Sequence, residues 1–476
     1  MKSLKKILCL SLALLMLLMT LSACKSDGDT QETDSESLTT EGEWEIDFSD
    51  RDYGGYAFTV LRADTELEHK WTGHANDIWV EEISGDILGN AVYTRNQTLN
   101  EMLNIEIAME LAEGTELSTI LKKSVLSGEA TYDLVAPQIS SLSELINMGL
   151  IKDMTELSLN TSYSWWDSQA EYAMNIGGRQ YGMVSDIIYV DKLSTIGVFF
   201  NTTMAENLKL PNLYEMVDNG EWTLEKMKEY AKLATESGEN VYGISCQNDF
   251  SYFVLHSANI NTVTKDNNGN LTYRLPYQRP VTVLQNAFTI MNENYFFNRQ
   301  SYSLQVDETV KRFGLENLFL IRPLQTFYYM KNLYEDYGVL PMPRYDDVYN
   351  GYYSPINHRS AIMLMLPKNN NAPARTADAL QAWGMVSEKI VTPEFYDRIL
   401  STRMVKNPES SRMLDIIFER RVYDVGLIFD FGSVESVVLR TNKFAIEKAP
   451  NTIASTIKSS KDSITNSIKD YIDNIK

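Results

Sequence analysis

Ile105, Ile107, Met109 and Leu111 occupy every second position, with Glu106, Ala108 and Glu110 between them. A period of two predicts a strand with one buried face. The stretch before it changes period. Leu88, Val92, Leu99, Met102 and Leu103 lie near helical spacing and predict a helix over 88–103. The same switch recurs on both sides. Tyr56 to Leu61 reads as a buried strand, and Thr115 to Ser127 as a helix that Gly128 is placed to end. Tyr132 to Ala136 is a short apolar strand, after which Ser140 caps a helix that carries Leu142, Leu145 and Ile146 and stops at Gly149. Strands that alternate with helices predict a mainly parallel sheet covered on both faces, an α/β architecture.

A second series follows. Tyr181 to Tyr189 and Ile196 to Phe200 read as strands, and Trp165 and Trp166 as part of a helix with at least one ring buried. Thr223 opens a helix with Leu224, Met227, Tyr230, Ala231 and Ala234 on one face. Trp222 precedes that cap and Met227 lies at the fourth helical position, the arrangement of a hydrophobic staple, so Trp222 is read as structural. Asn268-Gly269 predicts a hairpin turn. Asp266 beside it does not make an EF-hand, because the Gly and Glu that such a loop needs are missing at the required offsets. Ile453, Ile457, Ile464, Ile468, Ile472 and Ile475 mark a closing helix, and no internal repeat is visible.

The first residues read as targeting rather than fold. Lys2, Lys5 and Lys6 precede an apolar run from Ile7 to Met19, which has signal-peptide length and is short of the ~20 residues of a membrane span. Leu21-Ser22-Ala23-Cys24 follows and resembles the bacterial lipobox, which implies cleavage after residue 23 and a lipid on the Cys24 sulfur. Stable anchoring takes about two acyl chains, at ~0.8 kcal/mol per buried methylene. Residues 25–47 are mostly Ser, Thr, Asp, Glu and Gly, and cannot bury enough surface to offset the entropy of ordering. They read as a tether reaching roughly 25–30 Å.

Composition excludes several classes. The net charge is −21, and removal of the three leader lysines takes it to −24, the opposite of a nucleic-acid-binding stripe. Of the three cysteines, Cys9 leaves with the leader and Cys24 takes the lipid, so Cys246 has no disulfide partner and no paired-cysteine metal site exists. Walker A, GxSxG, HExxH and GxGxxG patterns are absent, and His69, His74, His256 and His358 are scattered. No enzyme, metal or cofactor is expected. A glycan hydrolase stays open only because an acidic chain supplies many carboxylate pairs.

Several stretches together resemble the bacterial extracellular solute-binding proteins of family 1, the carbohydrate-type group. They are Tyr132-Asp133-Leu134-Val135, then Met148-Gly149-Leu150-Ile151-Lys152-Asp153-Met154-Thr155, then Gly177-Gly178-Arg179-Gln180-Tyr181-Gly182. Val198-Phe199-Phe200-Asn201-Thr202-Thr203-Met204, Glu221-Trp222-Thr223-Leu224-Glu225 and Tyr337-Gly338-Val339-Leu340-Pro341-Met342-Pro343 continue the series in order. The chain departs from the pattern at Phe313-Gly314-Leu315-Glu316-Asn317-Leu318-Phe319, where small residues are usual, and at Gly384, where a larger one is common.

The resemblance implies a two-lobed periplasmic-binding-protein-like (type II) fold with discontinuous lobes and a hinge. Lobe 1 would be 52–185 with 362–421, and lobe 2 would be 186–361 with 422–476, after a leader over 1–23 and a lipidated tether over 24–51. It implies a monomer on the outer face of the cell membrane. That monomer would capture a sugar or oligosaccharide between its lobes for the permease subunits of an ABC importer. A peptide or another nutrient is the alternative ligand.

Sugar recognition needs aromatic faces against the C–H surface of the ring and fixed polar groups for its hydroxyls. Candidates are Trp71 and Trp79 after the first strand, and Gln138 after the strand Tyr132–Ala136, where ligands approach an open sheet. Asp186 and Tyr189 lie in the expected first crossover. Asn248, Asp249 and Tyr252 match by position a family segment bearing a stacking aromatic, Phe327 a second aromatic position, and Tyr353 precedes the second crossover. Trp71 and Tyr252 are expected to stack on opposite sides of one ligand.

Overall fold

The computed structural model describes residues 44–64, 75–83, 86–113, 116–298, 306–330, 336–401, 408–446 and 451–475. Residues Ile46–Lys476 form one compact unit. Among the described residues no helix is long and apolar enough to cross a membrane. Trp71, His69 and His74 lie outside the described residues, as do the lipobox and Cys24.

The first sheet begins with β1 (Tyr56–Asp64), from which the chain reaches α1 (Ile87–Leu103), β2 (Ile105–Glu113), α2 (Leu117–Ser127) and β3 (Leu134–Ala136). β1 lies between β2 and β3 and is parallel to both, with Tyr56 opposite Ile105 and Val60 opposite Leu134. Asp86, not singled out in the sequence, caps α1 through the Gly89 N–H; Gly128 ends α2 at φ 75°, as the sequence predicts. Beyond β3 a stretch arriving from the other end of the chain runs antiparallel. Ile362 bridges to Gln138, Met365 to Val135, and Leu366–Pro367 pairs with Ile151–Lys152.

The second sheet is built from β4 (Ile196–Asn201), β5 (Tyr242–Cys246), β6 (Phe296–Asn298), β7 (Asn317–Pro323) and β8 (Tyr337–Leu340). Its order is β6-β5-β7-β4-β8. β6, β5 and β7 are parallel, whereas β4 is antiparallel to β7 and β8. The two sheets therefore share one plan: parallel strands, then an antiparallel strand, then one further strand. In each sheet the antiparallel strand follows a passage of the chain from the other sheet.

Those passages lie side by side. Thr195 bridges antiparallel to Ile356, and Ser354–Pro355 pairs parallel with Arg421–Val422. Tyr181 to Tyr189, read as a strand from its apolar content, instead forms isolated bridges from Met183 to Leu364 and from Ser185 to Trp166, then a turn. With partners on different segments at successive residues, a ladder cannot propagate. Trp165 and Trp166 are both buried but precede their helix, Ser168–Met174, because Asp167 accepts from the Ala170 N–H and starts it there.

α3 (Leu224–Glu236) begins where Thr223 accepts from the Lys226 N–H at 3.3 Å. Trp222 is fully buried before it and donates its indole N–H to the Pro341 carbonyl at 3.0 Å. α4 (Phe250–Ser257) follows β5, α5 (Gln278–Met291) precedes β6, and α6 (Pro373–Ser401) packs along α1. α7 (Pro408–Glu419) leads into the last crossing stretch, and α8 (Val425–Phe429), α9 (Val434–Ile446) and α10 (Asn451–Ile475) close the chain. In α10, Ile453, Ile457 and Ile464 are fully buried, on the stripe the sequence marks. Full burial of each such side chain contributes ~1.5–3 kcal/mol relative to exposure.

Candidate functional site

Ligands of open α/β sheets bind outside the carboxyl ends of the parallel strands, where the last carbonyls and the following helix N-termini point outward. Here β3 delivers Pro137, Gln138 and Ile139 to that edge, β5 delivers Gln247, Asn248 and Asp249, and β7 delivers Leu324 to Phe327. Gln138 is half-buried beside its bridge to Ile362. Asn248 accepts from the Asn298 side-chain amide at 2.8 Å, because β5 and β6 end in register at Cys246 and Asn298. Asp249 stands immediately before α4 without capping it through its side chain.

Tyr252 is on the first turn of α4 and is 7 % exposed. Its ring lies edge-on to His256, 4.0 Å between centroids. Tyr252 shares a small cavity with Ile139, Ile356, His358, Tyr423 and Asp424. The cavity measures about 10 Å³, room for one water and not for a sugar ring. Ile139 follows a strand of the first sheet, while Tyr252 follows one of the second, so this cavity lies where the two halves meet.

The floor is held by charge. Asp424 receives the His256 ring nitrogen at 3.0 Å, the Thr262 N–H at 2.6 Å, the Thr262 hydroxyl at 2.7 Å and the Gly426 N–H at 2.9 Å. Burial alone would raise the Asp424 pKa, but His256 and Thr262 outweigh it and hold the carboxyl below its usual range. His358 contacts Glu435 at 2.9 Å and Arg359 reaches the same oxygen at 2.8 Å. Burial opposes ionisation of Glu435 too, yet the contacts with His358 and Arg359 bring its carboxyl down to about 2.

Behind this floor runs a second network. Arg421 is buried and ion-pairs with both Asp167 and Asp191, and the Tyr423 hydroxyl donates to Asp167 at 3.1 Å. Asp186 pairs with Lys192 at 2.5 Å and accepts the Thr392 hydroxyl at 2.9 Å. Burial pushes the Asp191 carboxyl up against the pull of Arg421.

The remaining sequence candidates are dispersed. Tyr189 is buried with its ring 5.7 Å from Phe395. Phe327 is 1 % exposed and packs edge-on to Phe199 at 5.0 Å, which puts it in the core of the second half rather than on a wall. Trp79 is 38 % exposed in a surface hollow with Tyr93 and Asn96 on the outer side of α1. Tyr353 lines a different pocket, of about 340 Å³, with the Arg420 guanidinium 5.6 Å over its ring. Sequence reasoning missed Ile139, His358, Tyr423 and Asp424 as a group. Only Asp424 carries a local signal, an acid immediately before the apolar run Val425–Phe429 that it caps.

Two α/β halves of one topological plan, joined by adjacent crossing strands with polar groups converging on the junction, define the periplasmic-binding-protein-like fold. Solved structures of that class match the chain over nearly their full length. An ABC substrate-binding protein of Listeria monocytogenes in complex with cycloalternan is 14 % identical, covering 87 % of this chain and 99 % of that one, with a TM-score of 0.56. An extracellular solute-binding protein of Staphylococcus aureus in complex with maltose is 13 % identical, covering 87 % and 98 %, with a TM-score of 0.57. The galacto-N-biose-/lacto-N-biose I-binding protein of an ABC transporter from Bifidobacterium longum, in complex with lacto-N-biose, is 14 % identical, covering 88 % and 98 %, at 0.54. No family model matches the sequence, and no curated protein matches it.

Proposed function

We propose that this chain is the extracellular substrate-binding lipoprotein of an ABC importer, and that it captures a sugar or oligosaccharide between its two halves for delivery to a membrane permease. The observation that carries the reading is the shared sheet plan joined by three adjacent crossing stretches, the fold of the sugar-complexed binding proteins above. The lobes would comprise 52–185 with 362–421 and 186–361 with 422–476. A lipid on Cys24 would hold the molecule at the outer membrane face. Gln138, Asn248, Asp249 and Tyr252 would form the described part of the sugar site, with Trp71 facing Tyr252.

The space beside Tyr252 has room for one water at most, so a sugar enters only when the Ile139 side parts from the Tyr252 and Asp424 side. Capture would thus couple binding to a hinge motion. No catalytic step is assigned: the junction offers aromatic, amide and carboxylate groups suited to holding hydroxyls.

The test is calorimetry of a panel of neutral mono- and oligosaccharides against the chain lacking residues before Ser26. At least one should bind. Trp71→Ala and Tyr252→Ala should each weaken it at least tenfold, about 1.4 kcal/mol. Absence of any sugar ligand, or unaltered affinity in both variants, would overturn the reading. Turnover of a glycan by the purified chain would favour a hydrolase instead, and metabolic labelling with palmitate should mark the wild type and not Cys24→Ala.

A further inference from the structure

The pocket of about 340 Å³ lies on the other side of the wall formed by Val422 and Tyr423, which line both it and the small cavity. Its size falls in the ~300–1,000 Å³ range of small-molecule sites. It is walled by the helix Ser168–Met174 on one side, by residues 259–265 on another, and by the last crossing stretch behind. It therefore touches both halves of the molecule at the junction.

Its charge runs against the rest of the chain. The protein carries −21 overall, yet among the described residues this lining contains Lys265, Arg420 and Arg421 and no acidic residue. Arg421 is neutralised by Asp167 and Asp191 behind it. Lys265 is not: its amine donates to the carbonyls of Tyr172 and Asn175, which bring no charge to cancel its own. Burial accordingly lowers its pKa with nothing opposing. Arg420 donates to the Asn350 carbonyl, which brings no charge, and among the described residues its ion pair is with Glu419, 3.5 Å away and 64 % exposed, which water screens.

The pocket also presents ring faces. Tyr172 is 52 % exposed, with the Lys265 amine 4.1 Å from its centroid, and Tyr353 lies beneath Arg420. Gln169 and Asn261 add amides that can both donate and accept. Two cations with no buried counter-charge among the described residues, two tyrosine faces and amides match one ligand chemistry: a ring with hydroxyls and an anionic substituent. A neutral sugar would leave Lys265 without a counter-ion.

We propose that this pocket is a second ligand site, separate from the cleft at the strand ends, and that it takes a carboxylate-bearing sugar of the uronic acid class, with Lys265 and Arg420 on the carboxylate and Tyr172 or Tyr353 against the ring. An occupant there contacts both halves beside the crossing strands and so binds one hinge arrangement better than another.

The experiment is calorimetry of the full mature chain with D-glucuronate, and with D-glucose as the neutral counterpart. Glucuronate should bind at least tenfold tighter than glucose. Lys265→Met and Arg420→Gln should each weaken glucuronate at least tenfold and leave the affinity of any neutral sugar found for the cleft unchanged. Lys265→Arg, which keeps the charge, should retain most of the binding, and circular dichroism of each variant checks folding. Equal affinity for glucuronate and glucose, no binding of glucuronate, or binding indifferent to Lys265→Met would overturn the proposal. None of these results would touch the neutral-sugar reading, which rests on other residues.

Discussion

Single residues at the junction carry stability through buried charge. Arg421 closes two carboxylates, Asp167 and Asp191, inside the protein. Removing one partner of a buried pair leaves the other charge desolvated and uncompensated, at a cost of ~3–5 kcal/mol. Arg421→Met should therefore lower the unfolding free energy by about that amount in urea titrations, and Asp191→Asn in the same background should recover part of it. Glu435 gives a pH prediction. Its folded carboxyl sits at about 2, below the ordinary 4.5, so the stability it contributes is complete above about 4.5 and is lost as pH falls from there toward 2. Glu435→Gln should melt below the wild type at pH 7, and the gap should close progressively below pH 4.5. A gap independent of pH would remove the ion-pair explanation.

Between elements, two glycines show how closely the layers approach. Gly384 lies within α6, where the sequence pattern makes a larger residue the expectation. The structure supplies the reason: a Cβ there would overlap the indole of Trp165. Glycine inside a helix ordinarily costs ~1 kcal/mol against alanine, but here overpacking outweighs that propensity gain. Gly384→Ala should destabilise by about 1–3 kcal/mol in denaturant unfolding. Gly243 in β5 likewise meets the backbone of Ala231 in α3, which sets that strand against its helix. The Thr223 cap and the burial of Trp222 before it were legible because capping is local in sequence. The segment 181–189 was not, since its apolar composition is shared by strands and by buried crossing chain, and its partners lie at Trp166 and Leu364.

For the molecule as a whole, the two sheets repeat one plan without any repeat in the sequence, because topology constrains strand order and direction and leaves side-chain identity free within the apolar set. The tight space beside Tyr252 leads to a further expectation. Small-angle scattering should show a change in radius of gyration when a bound sugar is added to the chain lacking residues before Ser26. An invariant profile with a ligand proven by calorimetry would exclude hinge motion as the means of entry.

Local chemistry in the chain determined the kind and position of most elements: the period of two in β2, the period of 3.6 in α10, the Thr223 cap and the Gly128 stop each act within a few residues. Ordered motifs along the chain were enough to suggest the solute-binding fold. The meeting of Ile139, Tyr252, His358 and Asp424, and of Tyr172, Lys265 and Arg420, was decided only by tertiary structure. These residues come from segments far apart that become neighbours when the chain crosses between its halves, and no periodicity or cap records a contact made across that distance.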